Sequence, residues 1–257
     1  MAVGSPDILP VSSTRSKWVA CWARQGSRKI PTMHDEAQAT SLISEAGRMG
    51  VALDRERALA LLSYRDALLL ENSRVNLTGV RDPAEAVTRL LVDSLALGLH
   101  LKELDADGRR LRVADLGSGG GLPGMVAALA FPQLELHLIE SRQRKWEALL
   151  RLRHVCKLKD RVHVHGQRMA TLEGERGRFD LITARAVAAL PDLLKECHSF
   201  LVPGSGILVA WKSDPPDPSE MEAGARIAAR LGMEALKALP YHSFKPCTLV
   251  RFRRLAP

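Results

Sequence analysis

The sequence predicts an α/β protein: a mainly parallel, seven-stranded sheet carrying helices on both faces, preceded by a helical N-terminal extension. Three observations carry the prediction. Up to Leu101 apolar side chains recur with a helical period, and from Leu111 short apolar runs alternate with longer segments. The first of those runs ends directly in Gly117-Ser118-Gly119-Gly120-Gly121, four glycines in five positions. Strands alternating with helical stretches of roughly ten to fifteen residues require crossover connections, and crossovers of one hand place helices on both sheet faces. A chain of 257 residues is long enough to bury one large core, or a core with a small appended unit.

Taken in order, residues 1–32 mix Pro, Ser and Arg without a period and hold a single acid, Asp7. They read as a disordered leader, with a transit peptide or a natural start at Met33 as the other readings. Residues 33–108 form the helical region. Ala58, Leu61, Leu62, Leu68 and Leu69 recur at near-3.6 spacing. In "RDPAEAVTRLLVDSLAL", Asp82 is placed as an N-cap, Pro83 at the first helical position and Glu85 as the closing member of a capping box, with Val87, Leu90, Leu91 and Leu95 as the apolar face. Residues 109–257 form the sheet domain. Its expected strands are 111–116, 134–139, 161–165, 179–184 and 206–211, each of the first five separated from the next by a helix, and a last pair near 233–239 and 247–253.

Composition narrows the function. The formal net charge of +8 is unusual for an enzyme of small molecules and suits a polyanionic partner. Cys21, Cys156, Cys197 and Cys247 lie far apart with no C-x-x-C pair, which argues against a disulfide framework and a structural zinc and fits a reducing cytoplasm. No apolar run reaches the ~20 residues of a membrane span. A soluble protein acting as a monomer is expected, without a membrane partner.

The glycine turn lies where a doubly wound sheet binds its ligands, outside the carboxyl end of the first strand. A dinucleotide fingerprint would need Gly or Ala where Leu122 stands, and a phosphate-binding loop would need a Gly-Lys-Ser/Thr ending that is absent. Asp115 ahead of Gly117 and Gly119 suits a ligand with a cationic amino-acid portion and no pyrophosphate, namely S-adenosylmethionine. Glu140 closes the second strand 19 residues past Gly121, where an acid for ribose hydroxyls is expected at about 20.

On these motifs the sequence resembles the bacterial 16S ribosomal RNA guanine-N7 methyltransferases. "NLTGV" (76–80), "VDSLAL" (92–97), "DLGSGGGLPG" (115–124), "ESRQRK" (140–145), "ITARAVAAL" (182–190) and "ILVAWK" (207–212) carry the resemblance. It implies a Rossmann-like class I methyltransferase fold. It further implies methyl transfer from S-adenosylmethionine to N7 of a guanine in the 530 loop of 16S RNA, free or in a small-subunit precursor. The cofactor contacts it implies are Gly117, Leu122, Met169, Ala170 and Arg185, beside Asp115, Gly119 and Glu140. Leu90, Glu71 and Ala170 depart from the family pattern, which usually has His, Trp and an acid there.

Between Ser141 and Arg161 eight Lys/Arg residues, at 142, 144, 145, 151, 153, 157, 159 and 161, stand against Glu147 and Asp160. They are candidates for RNA phosphates on the cofactor side, Lys145 and Arg185 foremost. His163 and His165 share a strand face, but without a carboxylate or Cys nearby they read as ordinary strand residues, and no metal is expected. The tryptophans form no stacking platform for single strands. No residue is placed as a general base. A methyltransferase for another RNA, a small molecule or a protein, and a non-catalytic RNA-binding factor, remain the competing readings.

Overall fold

The computed structural model describes residues 36–103 and 108–257. The expectations for the leader lie outside the described residues. Helices α1 (Glu36–Arg48) and α2 (Arg55–Asn72) come first. A composite helix over 83–101, here α3, follows. Then come β1 (Leu111–Leu116), α4 (Gly124–Ala130), β2 (Leu134–Ile139), α5 (Gln143–Val155), β3 (Val162–His165), β4 (Leu181–Arg185), α6 (Leu190–Cys197), β5 (Ile207–Ser213), α7 (Pro218–Arg230), β6 (Met233–His242) and β7 (Pro246–Arg254).

The strands form one seven-stranded sheet in the order β3-β2-β1-β4-β5-β7-β6. The first five are parallel, and β7 runs antiparallel between β5 and β6. Strand alternation divides the side chains into two cores. Val113, Leu136, Leu138, Leu181 and Val209 pack with α1 to α5. Ala114, Leu116, Ile182, Leu208 and Ala210 pack with α6 and α7 on the other face. The helical region is therefore built into the sheet's own core, through Leu61, Leu62, Leu68, Leu91 and Leu95, all fully buried.

Two elements depart from expectation. The segment after Asp82 is not one regular helix: Pro83–Ala86 leads into a π-helical turn, Val87–Val92, followed by Asp93–Leu95 and Leu97–Leu101. Asp82 does cap it, accepting from the Glu85 N–H at 2.8 Å. The Glu85 carboxylate, however, is turned to Arg89 one helical turn on, so the reciprocal half of the capping box gives way to an i,i+4 ion pair. Between β3 and β4 the expected helix is replaced by two 3₁₀ turns, Met169–Thr171 and Glu173–Glu175. The connecting "GQRMATLEGERGR" offers only Met169 and Leu172 as apolar anchors and three glycines, too little to hold a helix against the sheet.

Candidate active site

The carboxyl end of β1 is stitched to β2 by the chain's own hydrogen bonds. The N–H groups of Gly117 and Ser118 both donate to the Ile139 carbonyl, at 2.9 and 3.1 Å. The buried Ser118 hydroxyl donates to the Asp115 carbonyl at 2.8 Å and accepts from the Ile139 N–H at 3.1 Å. From α2, the buried Tyr64 hydroxyl donates to the Gly120 carbonyl at 2.7 Å. The turn is thus a rigid ledge rather than a loose loop.

Gly119 sits on that ledge with φ of 57°, and a Cβ built there would meet only the Gly117 carbonyl oxygen, at 3.8 Å. Space stands open over the backbone, the cradle that a ligand lying on it needs. Glu140 faces the cradle from the end of β2. Its Oε2 accepts from the Gly119 N–H at 3.1 Å and its Oε1 from the Arg142 N–H at 2.8 Å, so strand end and turn are clasped by one carboxylate.

Asp115 is fully buried behind the turn. Its Oδ2 accepts from the Gly124 N–H at 3.0 Å, at the start of α4, while Oδ1 has no partner. Burial pushes its pKa up to about 7, against the Gly124 hydrogen bond and the Arg185 charge, which pull it down. A buried carboxyl with an unused oxygen stores an electrostatic demand that a nearby cation relieves. The donor set fits S-adenosylmethionine: an open backbone ledge, an acid behind it and an acid beside it. Met169 is buried after β3, whereas Ala170 is exposed; Leu122 is nearly buried in the turn itself.

Arg185 closes β4 and does not simply project into solvent. It donates to Asp93 Oδ2 at 2.8 Å and to the Ser94 hydroxyl at 3.3 Å. Asp93, buried in α3, also accepts from the Tyr241 hydroxyl at 2.8 Å and the Ser243 hydroxyl at 2.9 Å. Arg185 is therefore held by a carboxylate network as well as lying at the rim. Immediately after it Ala186 adopts φ of 56°, a strained backbone of the kind found at working sites. Val187 then folds back over Gly117, where an added Cβ would come within 2.8 Å of its methyl. Tyr64, Asp93, Tyr241 and Ser243 are the residues that sequence reasoning missed. Only Asp93 carried a signal, its place in "VDSLAL".

The family model for rRNA small subunit methyltransferase G matches residues 57–239. The chain belongs to this family. Relatives named ribosomal RNA small subunit methyltransferase G include that of Acinetobacter baumannii, 38% identical over 181 residues, 68% of this chain and 80% of the relative. That of Acinetobacter baylyi is 35% identical over 201 residues, 77% of this chain and 90% of the relative. That of Acetivibrio thermocellus is 31% identical over 181 residues, covering 70% and 72%. Among solved structures, one described as a sarcosine dimethylglycine methyltransferase from Galdieria sulphuraria superposes with a TM-score of 0.51 at 14% identity, over 68% of this chain and 88% of that one. That likeness concerns the fold, which is the Rossmann-like class I methyltransferase fold.

In this member of the methyltransferase G family the basic segment divides by position. Helix α5 starts at the carboxyl end of β2 and runs back toward the amino end of β3, so Arg142, Arg144 and Lys145 stand at the site end. Lys157, Lys159 and Arg161 lie at the opposite edge, which corrects the expectation that all eight charges share the cofactor side. Arg151 binds Glu71 of α2 at 2.9 Å, Arg153 donates to the Val162 carbonyl, and Arg161 donates to the Ala128 and Leu134 carbonyls. These three are committed to the fold. The cavity lined by His100, Ile207, Lys237 and Arg251 also opens at the amino end of β5, away from the turn.

The strand histidines need a second correction, because they do have a carboxylate beside them. Glu135 Oε1 lies 3.1 Å from His137 Nε2 and 3.6 Å from His163 Nε2, a grouping that could hold a metal ion. Arg112 belongs to the same cluster: its guanidinium lies 3.5 Å from Glu135, 3.2 Å from His137 Nε2 and 3.0 Å from Glu175. Without a helix between β3 and β4, this sheet face is covered by a polar network centred on a guanidinium.

Proposed function

We propose that the protein transfers the methyl group of S-adenosylmethionine to N7 of a guanine in the 530 loop of 16S ribosomal RNA. Membership of the family makes it an S-adenosylmethionine-dependent methyltransferase of small-subunit ribosomal RNA. The 530 loop follows from the family resemblance; what supports N7 as the acceptor atom is the state of the carboxylates around the mouth. Asp93 is engaged by Arg185, Tyr241 and Ser243, Glu140 by two backbone N–H groups, and Asp115 is sealed behind the turn. Two of the three are already engaged, and Asp115, although able to hold a proton, is shut off from an RNA acceptor by the turn in front of it. Guanine N7 offers an in-plane lone pair and carries no proton at neutral pH, so it needs none taken. A bound S-adenosylmethionine supplies the electrophilic sulfonium methyl.

The chain's own part is then to hold and align. The ledge at Gly117 and Gly119, with Leu122 beneath and Met169 and Ala170 beyond it, receives the cofactor; Asp115 balances its positive charge and Glu140 accepts from its ribose. Arg185, fixed by Asp93, and Lys145 receive the RNA. Proximity and exclusion of water supply most of the rate. Residues 33–108 serve as a helical platform for the methyltransferase domain of 109–257, and the protein works as a cytoplasmic monomer. No helix among the described residues is long and apolar enough to cross a membrane.

The test is to map methylated guanines in 16S RNA from cells with and without the gene, and to restore the mark with purified protein. A missing mark elsewhere than N7 of a 530-loop guanine overturns the assignment. Single-turnover methylation at saturating cofactor should be nearly flat from about pH 6 to 9, lacking the bell of acid-base catalysis. A steep profile abolished by one Asp, Glu or His substitution would instead mean a protonated acceptor.

A further inference from the structure

Strand β7 runs antiparallel to β5, with Ser213 opposite Cys247, so the turn 243–245 between β6 and β7 lies at the carboxyl end of β5. This is the end of the sheet that carries the glycine ledge and Arg185. Ser243 is tied to Asp93, and Asp93 to Arg185, which fixes the turn to the rim of the mouth. The next residue is Phe244, 38% exposed. Among the Phe, Tyr and Trp side chains of the described residues it is the one that stands exposed; the others are buried or partly covered.

Two cations from different elements attend this ring. The Arg89 guanidinium, from α3, lies 5.2 Å from the ring centre, and the Lys245 ammonium lies 5.5 Å from it. A partly exposed phenylalanine forfeits some of the burial that normally stabilises it, and here the open part of the ring is paired with positive charge at the end of the sheet that carries the glycine ledge. Single-stranded RNA loops offer the complement: unstacked bases with π faces on a phosphate backbone, which proteins bind by stacking on aromatic rings and guanidinium planes flanked by basic residues.

The geometry points to Phe244, with Arg89 and Lys245, as a platform on which one unstacked base of the substrate RNA stacks while its phosphates meet Lys245 and Arg89, the latter shared with its ion-pair partner Glu85. This rests on ribosomal RNA being the substrate. The net charge of +8 favours a polyanion over an apolar protein partner on this surface. A single ring serves one nucleotide, so the platform sets the register of the loop against Arg185 and the ledge without giving sequence-tolerant binding along a strand.

Unmodified 16S RNA, and small ribosomal subunits from cells lacking the gene, are the probes. Phe244→Leu keeps an apolar side chain and removes the π face; it should weaken binding of the probe about 10-fold, with cofactor affinity and melting temperature unchanged. Phe244→Trp should restore binding, and the fluorescence it adds over wild type should be quenched by the RNA. Lys245→Gln should weaken binding less and lower its salt dependence. Wild-type affinity in Phe244→Leu, or an unquenched Phe244→Trp, overturns the platform. Ring-dependent RNA binding by a wild-type protein that deposits no methyl group would overturn the proposed function instead.

Discussion

Gly119 combines two properties that separate folding from binding: a left-handed backbone and open space where its side chain would be. Gly119→Val should cost ~1–2 kcal/mol of backbone strain and leave the protein folded. Calorimetry should show cofactor binding abolished, and wild-type binding by the folded variant would move the pocket elsewhere. Asp93 combines the opposite properties, being buried and fully engaged. Asp93→Ala leaves Arg185, Tyr241 and Ser243 without their acceptor and should cost roughly 3–5 kcal/mol. Arg185→Ala leaves Asp93 with two hydroxyl donors and should cost less, ~1–3 kcal/mol, while removing methylation. Melting curves of the pair check the order; an Arg185→Ala protein less stable than Asp93→Ala would contradict it.

At the level of elements, α5 and the turn that follows it give the sharpest contrast, because together they carry charge to both edges of the sheet. Replacing Arg144 and Lys145 with Gln should weaken RNA binding several-fold and reduce the salt slope by about two. The same change at Lys157 and Lys159 should leave both near wild type, since those residues face the far edge. Equal effects would put RNA at both edges of the sheet. The elements also show what a sequence exposes and what it hides. "LRVADL" and "LELHLI" coincide with β1 and β2 because an apolar run between a charged segment and a turn has few other homes. The capping role of Asp82 was legible because a cap is local. The π-helical turn at 87–92 was not, since its backbone register depends on what the helix packs against. Asp93 stayed unassigned because its partners lie 92, 148 and 150 residues away in the chain. The companion of His163 was hidden for the same reason: Glu135 belongs to the neighbouring strand, and the strand pairing alone brings them together.

For the whole molecule, buried ionisable groups pull the acid response in opposite directions. Burial lowers the pKa of His100 and His137 from 6.5 to about 4, so between those values the unfolded chain takes up protons that the native one refuses, and stability falls as pH drops. Asp115 does the reverse. Its native value of about 7 lies above the ordinary 3.8, so the native state binds the proton more tightly and gains stability as pH falls through that range. Wild type should therefore lose stability only gently from pH 6.5 to 4. Asp115→Asn removes the opposing contribution and should make the loss steeper, whereas His137→Gln should flatten it. Denaturant unfolding at several pH values tests this, and parallel curves for all three proteins would refute it. The same carboxyl links pH to the cofactor: a bound cation lowers its pKa, so cofactor affinity should rise through pH 7 with release of a proton.

The insertion of β7 between β5 and β6 has a consequence in time. Asp93 leaves the ribosome 148 residues before Tyr241, its hydroxyl partner on β6. At ~5–20 residues per second the interval is roughly 7–30 s. β5 is complete only at Ser213, so it is over roughly the last 1–6 s of that interval that the first five strands can assemble their parallel sheet while the free edge of β5 stays open and the Arg185–Asp93 pair lacks its hydroxyl support. The nascent chain thus holds a formed glycine ledge before the rim at Arg185 is braced. Maturation of the enzyme is gated by its last strand, and a chain that terminates early, after β5, would be born with an exposed sheet edge and a loose rim rather than as a smaller working enzyme.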